Sequence, residues 1–125
     1  MILGIVNNKR EAIVQYAALG SDQKRVGIKA IIDTGYTGYL TLPHKTIAEL
    51  GLTWIMQETG ILGDGSVCMF NMYEAEIIWD GQVYTVEINE SDTEPLIGVG
   101  LLEEYELNIQ HCPGGMVKIT ELPSS

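Results

Sequence analysis

The chain has 125 residues, a formal net charge of −10 and 46% hydrophobic residues. This length suits one domain with its own hydrophobic core, so we expect a single domain over residues 1–125. So few basic residues leave little surface for neutralising phosphate, which argues against nucleic acid as a partner. Because the N-terminus lacks a signal-peptide pattern and no apolar run reaches membrane length, we expect a cytoplasmic protein with no membrane partner.

Short apolar runs, separated by turns that contain glycine or aspartate, follow one another along the chain. They predict strands at about 1–7, 11–19, 26–33, 38–42, 53–62, 67–79, 82–89, 105–110 and 115–121. Pro43 to Leu50 predicts a short helix that ends at Gly51, and Leu101 to Tyr105 predicts a second one. Many short strands with one or two short helices favour a mainly β fold in a closed or partly closed barrel, because an open sheet leaves its edges exposed.

The cysteines and histidines give no strong sign of a metal or disulfide. In a cytoplasmic protein Cys68 and Cys112 are expected to be reduced thiols, although their spacing leaves a contact between them open. His111 and Cys112 resemble half of a metal site, but adjacent residues of a strand point to opposite faces. No second ligand pair of suitable spacing exists in the sequence. We therefore expect neither a metal nor a cofactor.

The clearest chemical signal is Asp33-Thr34-Gly35, which directly follows the apolar run Ala30 to Ile32. Alone, this tripeptide is typical of a turn in which the aspartate accepts hydrogen bonds from backbone amides. Two later segments make the signal more specific: the glycine-rich stretch Gly60 to Ser66, and the stretch Pro95 to Leu102, in which two apolar residues and a glycine enter a short helix. The order of the three segments is more informative than any one of them.

From about Val26 to Ile119 the chain resembles the retropepsin-like aspartic proteases. Within that family it is more similar to the cellular prokaryotic members than to the viral ones. The resemblance implies a closed β-barrel in which a hairpin flap folds over the active site, and activity as a two-fold dimer. Asp33 matches the catalytic aspartate of the family. Thr34 matches the residue that bonds across the dimer, and Gly35 matches the glycine whose carbonyl faces the substrate.

The same resemblance implies which residues contact a substrate. Gly63-Asp64-Gly65 falls at the flap tip, and Leu96-Ile97-Gly98 falls on the apolar-apolar-glycine element beneath the site. The expected substrate contacts are Tyr36, Thr37, Ile61, Leu62, Gly63, Asp64, Gly65, Ile97 and Val99. Much of this lining is apolar, so we expect apolar side chains on both sides of the scissile bond of an extended polypeptide.

The chain also departs from the retroviral pattern. Thr37 stands where a second acid is usual and Val99 where an arginine is usual, so the ion pair that supports the active-site loop is missing. Tyr36 stands where the viral enzymes have a small residue, and it is expected to narrow the neighbouring subsite.

Peptide hydrolysis without a metal or a nucleophilic side chain requires one group to take a proton from water and another to give one to the carbonyl oxygen. Two carboxylates about 3 Å apart share one proton and so supply both functions. Because the chain holds a single Asp-Thr-Gly, the second carboxylate has to come from another copy. The sequence therefore predicts an aspartic endopeptidase that acts as a homodimer with its site on the two-fold axis.

Two alternatives stay open. The first is a catalytically silent dimer of the same fold that binds peptides, although a binding protein has no need for two like charges on the dimer axis. The second is an unrelated β-barrel in which Asp33 only caps a turn. Cleavage of an unstructured protein separates an enzyme from a binding domain, and a monomeric state favours the unrelated barrel.

Overall fold

The computed structural model describes residues 1–123, which form ten strands and two short helices. The strands are β1 Ile2–Val6, β2 Ala12–Leu19, β3 Arg25–Ile32, β4 Leu40–Leu42, β5 Thr53–Ile61, β6 Val67–Trp79, β7 Gln82–Glu90, β8 Leu96–Ile97, β9 Tyr105–Ile109 and β10 Met116–Glu121. The helices are α1 His44–Leu50 and α2 Val99–Leu102. Within these residues, no helix has the length and apolar character needed to cross a membrane.

All ten strands belong to one sheet, in the order β5-β6-β7-β4-β8-β3-β2-β1-β10-β9. Strand β6 also pairs with β2, so the strands β6, β7, β4, β8, β3 and β2 form a ring of hydrogen-bonded neighbours. Most neighbours are antiparallel, whereas β3 and β8, and also β4 and β7, run parallel. The prediction of a mainly β fold is confirmed.

One hydrophobic core collects the inward-facing residues of these strands. Side chains along β2 alternate between buried and less buried positions, as expected for a strand with one face on a core. The central members of the core, all with almost no exposed surface, are Val6, Val14, Leu40, Leu42, Ile77, Trp79, Ile88, Ile97, Val117 and Ile119. Leu40 at the start of β4 and Ile97 at the end of β8 both belong to this core.

Each predicted strand lies within two residues of an observed one, and only β8 was not predicted. Helix α1 begins after Pro43 and ends where Gly51 takes the left-handed conformation with φ 65°, in agreement with the predicted helix. The second predicted helix is wrong in its bounds. The observed helix α2 runs from Val99 to Leu102. Glu104 has a φ of 69°, which turns the chain into β9 instead of extending the helix to Tyr105.

Candidate active site

Asp33 is the first residue after β3, and a tight turn holds it in place. Its backbone N–H donates to the carbonyl of Ile97 at 2.9 Å. Its side-chain Oδ1 accepts a hydrogen bond from the N–H of Gly35 at 2.9 Å, and its carbonyl accepts one from Tyr36 at 3.1 Å. Its Oδ2 accepts no hydrogen bond from the described residues. The carboxylate is therefore oriented through one oxygen and leaves the other without a partner.

Strand β8 fixes the loop that follows Asp33, residues 34–39. It lies between β3 and β4, parallel to the first and antiparallel to the second. Three further backbone hydrogen bonds join the loop to the start of α2: Val99 N–H to Tyr36 O at 2.9 Å, Gly98 N–H to Tyr39 O at 2.9 Å and Gly100 N–H to Gly38 O at 3.0 Å. The loop is thus tied along its length to one continuous segment.

Gly98 is where these two segments come closest. A Cβ at this position would lie 2.2 Å from the carbonyl oxygen of Gly38 and 2.6 Å from Cδ2 of Tyr36. Both distances are far shorter than atoms in folded proteins tolerate, and the first involves backbone, which has little room to move. The absence of a side chain at Gly98 is therefore what allows the loop to lie directly on this segment.

Tyr36 connects the loop to the sheet. Its hydroxyl lies 2.6 Å from Oδ1 of Asn89 and 3.1 Å from the carbonyl oxygen of Leu40, so its one proton has two acceptors. Burial raises the pKa of Tyr36 above its ordinary value, and the negative charges of Glu58 and Glu87 raise it further. The phenol therefore stays protonated and remains a donor over the whole physiological range.

Strands β5 and β6 form a long antiparallel hairpin whose turn spans residues 62–66. The turn is closed by Leu62 N–H to Ser66 O at 2.9 Å, and Gly65 takes a φ of 85°. Oδ1 of Asp64 accepts hydrogen bonds from the N–H and the hydroxyl of Ser66, at 2.9 and 2.6 Å. These bonds hold the pKa of the Asp64 carboxyl below its usual range. Asp64 and Gly65 therefore shape the tip of this hairpin.

A cleft of about 830 Å³ lies between the loop after β3 and the β5–β6 hairpin. Of the residues predicted for the site, the cleft lining includes Asp33, Gly35, Tyr36, Thr37, Ile61, Leu62 and Gly63. The structure thus brings the aspartate and one side of the hairpin tip, which are separated by about thirty residues in sequence, to a common cavity.

The remaining predicted residues lie outside this cleft. Thr34, Asp64 and Gly65 are exposed beside it. Ile97 is fully buried, and its carbonyl accepts the hydrogen bond from the N–H of Asp33; its contact with a substrate stays a prediction. Val99 is 37% exposed and lies with Thr37 on a neighbouring pocket.

Sequence analysis missed the acidic side of the cleft. Glu58, Glu87 and Glu90 line it, together with Asn89, and no lysine or arginine of the described chain does. Glu58 and Asn89 share the outer face of the sheet because Glu58 pairs with Phe70, and Asn89 pairs with Met72 two residues further along β6. Which side chains share this face depends on how the strands pair, and the pattern of apolar residues alone does not specify that pairing.

Glu90 joins three elements at one end of the cleft. Its Oε2 accepts a hydrogen bond from Nδ2 of Asn71 at 3.0 Å, and its Oε1 lies 2.6 Å from Nδ1 of His44. The bond from Asn71, followed by the contact with His44, lowers the pKa of the Glu90 carboxyl from its ordinary value. Strands β6 and β7 are thereby linked to the start of α1.

The described histidines, cysteines and carboxylates do not form a metal site or a disulfide. Within residues 1–123, no three side chains of histidine, cysteine, aspartate or glutamate are grouped as a metal site requires. Cys68 is partly buried and Cys112 is exposed, and both are free thiols.

The mainly β fold of this chain is similar to a retropepsin-like fold. The likeness is to the crystal structure of a retropepsin-like aspartic protease from Rickettsia conorii, with a TM-score of 0.58 over 98% of this chain and 94% of that chain. The two sequences are 15% identical, so the comparison shows a shared fold. Neither a scan against protein-family models nor a search of curated proteins gives a match.

Proposed function

We propose that the protein is an aspartic endopeptidase that cleaves extended polypeptides as a homodimer, with Asp33 of each copy at a shared site. The observation that carries this proposal is the setting of Asp33. A strand end and a turn orient its carboxylate, one oxygen has no partner within the described chain, and the carboxylate lines a cleft beside a hairpin. An aspartate that only caps a turn needs an oriented carboxylate, but it needs neither an oxygen without a partner nor a position in a cleft.

The reaction follows from two such carboxylates close together on the dimer axis. The ionised one takes a proton from a water molecule, whose oxygen attacks the carbonyl carbon of the scissile bond, while the protonated one gives its proton to the carbonyl oxygen. Protonation of the amide nitrogen then lets the C–N bond break, which leaves a new carboxyl and a new amine. The two carboxylates exchange acid and base roles between these steps.

Other residues of the proposed site would position this chemistry. Without the usual ion pair at Thr37 and Val99, the loop is braced by its backbone bonds to residues 98–100 and by Tyr36 on Asn89. Thr34 is exposed in the single chain, as a residue that bonds to a second copy must be. The β5–β6 hairpin would act as the flap, closing over an extended substrate and excluding water.

Two substitutions of Asp33 test the proposal. Asp33→Asn keeps the oxygen that accepts the Gly35 N–H, so its free energy of unfolding is expected to stay within about 1 kcal/mol of the wild type. Its cleavage of an unstructured protein should fall by several orders of magnitude, because the water loses its base. Asp33→Ala removes both the oxygen that accepts the Gly35 N–H and the base for the water, so it should lose stability as well as activity.

The alternatives give different results in the same assay. An Asn variant that cleaves as fast as the wild type contradicts the proposal and leaves Asp33 as a turn cap. If the pure wild-type dimer binds peptides at acidic pH but never cleaves them, the protein is the silent binding domain instead.

A further inference from the structure

A second pocket, of about 570 Å³, adjoins the cleft. Two residues, Tyr39 and Glu87, line both cavities, so the pocket and the cleft are neighbours. Its lining combines four aromatic residues and four carboxylates: Tyr39, Trp79, Tyr84, Tyr105, Glu87, Glu103, Glu104 and Glu121. As in the cleft, the described chain contributes no lysine or arginine to this lining.

The four aromatic residues of the pocket differ in how much of their surface is exposed. Trp79 is 2% exposed, and its ring meets that of Tyr105 edge to face, with centroids 6.2 Å apart. Tyr39 and Tyr84 are 40% and 38% exposed and leave ring surface open to an occupant. The face of an aromatic ring carries negative electrostatic potential and attracts a cation within about 6 Å.

The carboxylates add charge that the protein does not neutralise. None of the four glutamates takes part in an ion pair within residues 1–123. Burial raises the pKa of Tyr105 to about 12, and its neighbours Tyr84, Asp80 and Glu121 contribute in the same direction. The pocket therefore has aromatic faces and unpaired negative charge, but no lysine or arginine of its own.

We propose that this pocket is a subsite for the side chain of a lysine or arginine in the polypeptide substrate. The inference rests on the proposed function, since it takes the occupant to be part of a chain that lies in the cleft. The methylene stem of the basic side chain would pack against Tyr39 and Tyr84, while its charged end meets the glutamates. The subsite lies past the loop from Asp33, so the basic residue is distant from the scissile bond and does not replace the apolar residues expected beside that bond.

The test uses a set of otherwise uncharged peptides with apolar residues at the scissile bond and one lysine moved along the peptide position by position. One distal lysine position is expected to raise kcat/KM about tenfold over the peptide without lysine, as cation–π and charge contacts at a partly exposed site allow. The gain should shrink in 0.5 M salt, because screening weakens contacts between exposed charges.

Matched variants locate the effect. The double variant Glu103→Gln/Glu104→Gln should lose most of the lysine preference. The double variant Glu74→Gln/Glu76→Gln removes the same charge from exposed positions on β6 that line a different pocket, and it should keep the preference. Equal loss in both variants would mean that overall charge, and not this pocket, attracts the lysine, and would overturn the inference.

Failure of the inference and failure of the proposed function are distinguishable. If peptides are cleaved with no preferred lysine position, the subsite is contradicted and the proposed protease function still holds. If no peptide is cleaved, fluorescence anisotropy of the same labelled peptides on the Asp33→Asn protein decides the matter. Lysine-dependent binding that Glu103→Gln/Glu104→Gln abolishes supports the subsite without the protease, and binding without this dependence overturns it.

Discussion

At the scale of single residues, Tyr36 links the candidate catalytic loop to the sheet behind it. Its hydroxyl bonds reach Asn89 on β7 and the backbone of Leu40, and its ring packs against the backbone at Gly98. A side chain that the sequence suggested would narrow a subsite thus also holds the loop in position. These contacts of the Tyr36 side chain add to the backbone hydrogen bonds that join the loop to residues 98–100.

Removing the hydroxyl should therefore weaken the fold. Tyr36→Phe keeps the ring but leaves Oδ1 of Asn89 without its donor, and we expect a loss of about 1 to 2 kcal/mol in the free energy of unfolding. Tyr39→Phe is the control, since the hydroxyl of Tyr39 makes no hydrogen bond within residues 1–123 and its ring is 40% exposed. Urea unfolding of both variants measures the difference. Equal stability of the two variants would show that the Asn89 contact contributes nothing.

Glu90 gives a pH-dependent prediction. Asn71 and His44 hold its pKa in the folded protein below the unfolded value, so its stabilising effect is present above the unfolded pKa of about 4.3 and is lost as pH falls through the folded pKa. Glu90→Gln should therefore be less stable than the wild type at pH 7, by up to about 1 kcal/mol, and the gap should close towards pH 3. Denaturant midpoints across this range measure it.

The control for this pH dependence is Glu94→Gln. The side chain of Glu94 is exposed and makes no ion pair within the described residues, so its replacement should not change stability in the same way. A gap for Glu90→Gln that is constant with pH would show that neutral hydrogen bonding, and not the carboxylate charge, links α1 to the sheet.

At the scale of elements, the sequence identified the parts with local signals and missed those that depend on register. Asp33 and Gly35 follow an apolar run, and their turn is encoded by neighbours in sequence. Strand β8 is only two residues long, too short for alternation to show. The cleft glutamates Glu58 and Glu87 come to one face because β5, β6 and β7 pair in one particular register.

The tip of the β5–β6 hairpin offers a test of its proposed role as a flap. Gly65 has a φ of 85° and open space around it, so a valine there would be strained by its backbone and not by a clash. Gly65→Val is expected to lower kcat/KM for a peptide substrate, because a distorted tip closes poorly over the cleft. Unfolding in denaturant should show only a modest loss of stability.

Another hairpin of the same chain supplies a matched control. Gly81 has a φ of 77° and also lies in open space, but its turn joins β6 and β7 away from the cleft. Gly81→Val should lose a similar amount of stability and keep kcat/KM. If the two variants lose activity equally, general strain explains the effect and the flap role is contradicted.

At the scale of the whole molecule, the proposed site is incomplete in one chain. Each copy has a single Asp-Thr-Gly and carries a net charge of −10, so two copies repel each other over long range. Association then has to come from short-range contacts, and salt is expected to strengthen it by screening the repulsion. Dimerisation and catalysis should therefore respond together to concentration and to ionic strength.

Mixing active and inactive chains tests whether both copies supply a carboxylate. When wild type is equilibrated with an equal amount of Asp33→Asn, random pairing leaves about half of the wild-type chains in dimers that hold only one carboxylate. Activity per wild-type chain should therefore fall to about half, and further as the variant is added in excess. Mixing with Glu74→Gln, which keeps Asp33, should cause no loss. Activity that stays constant with either addition would mean that one chain holds a complete site, which contradicts the dimeric mechanism.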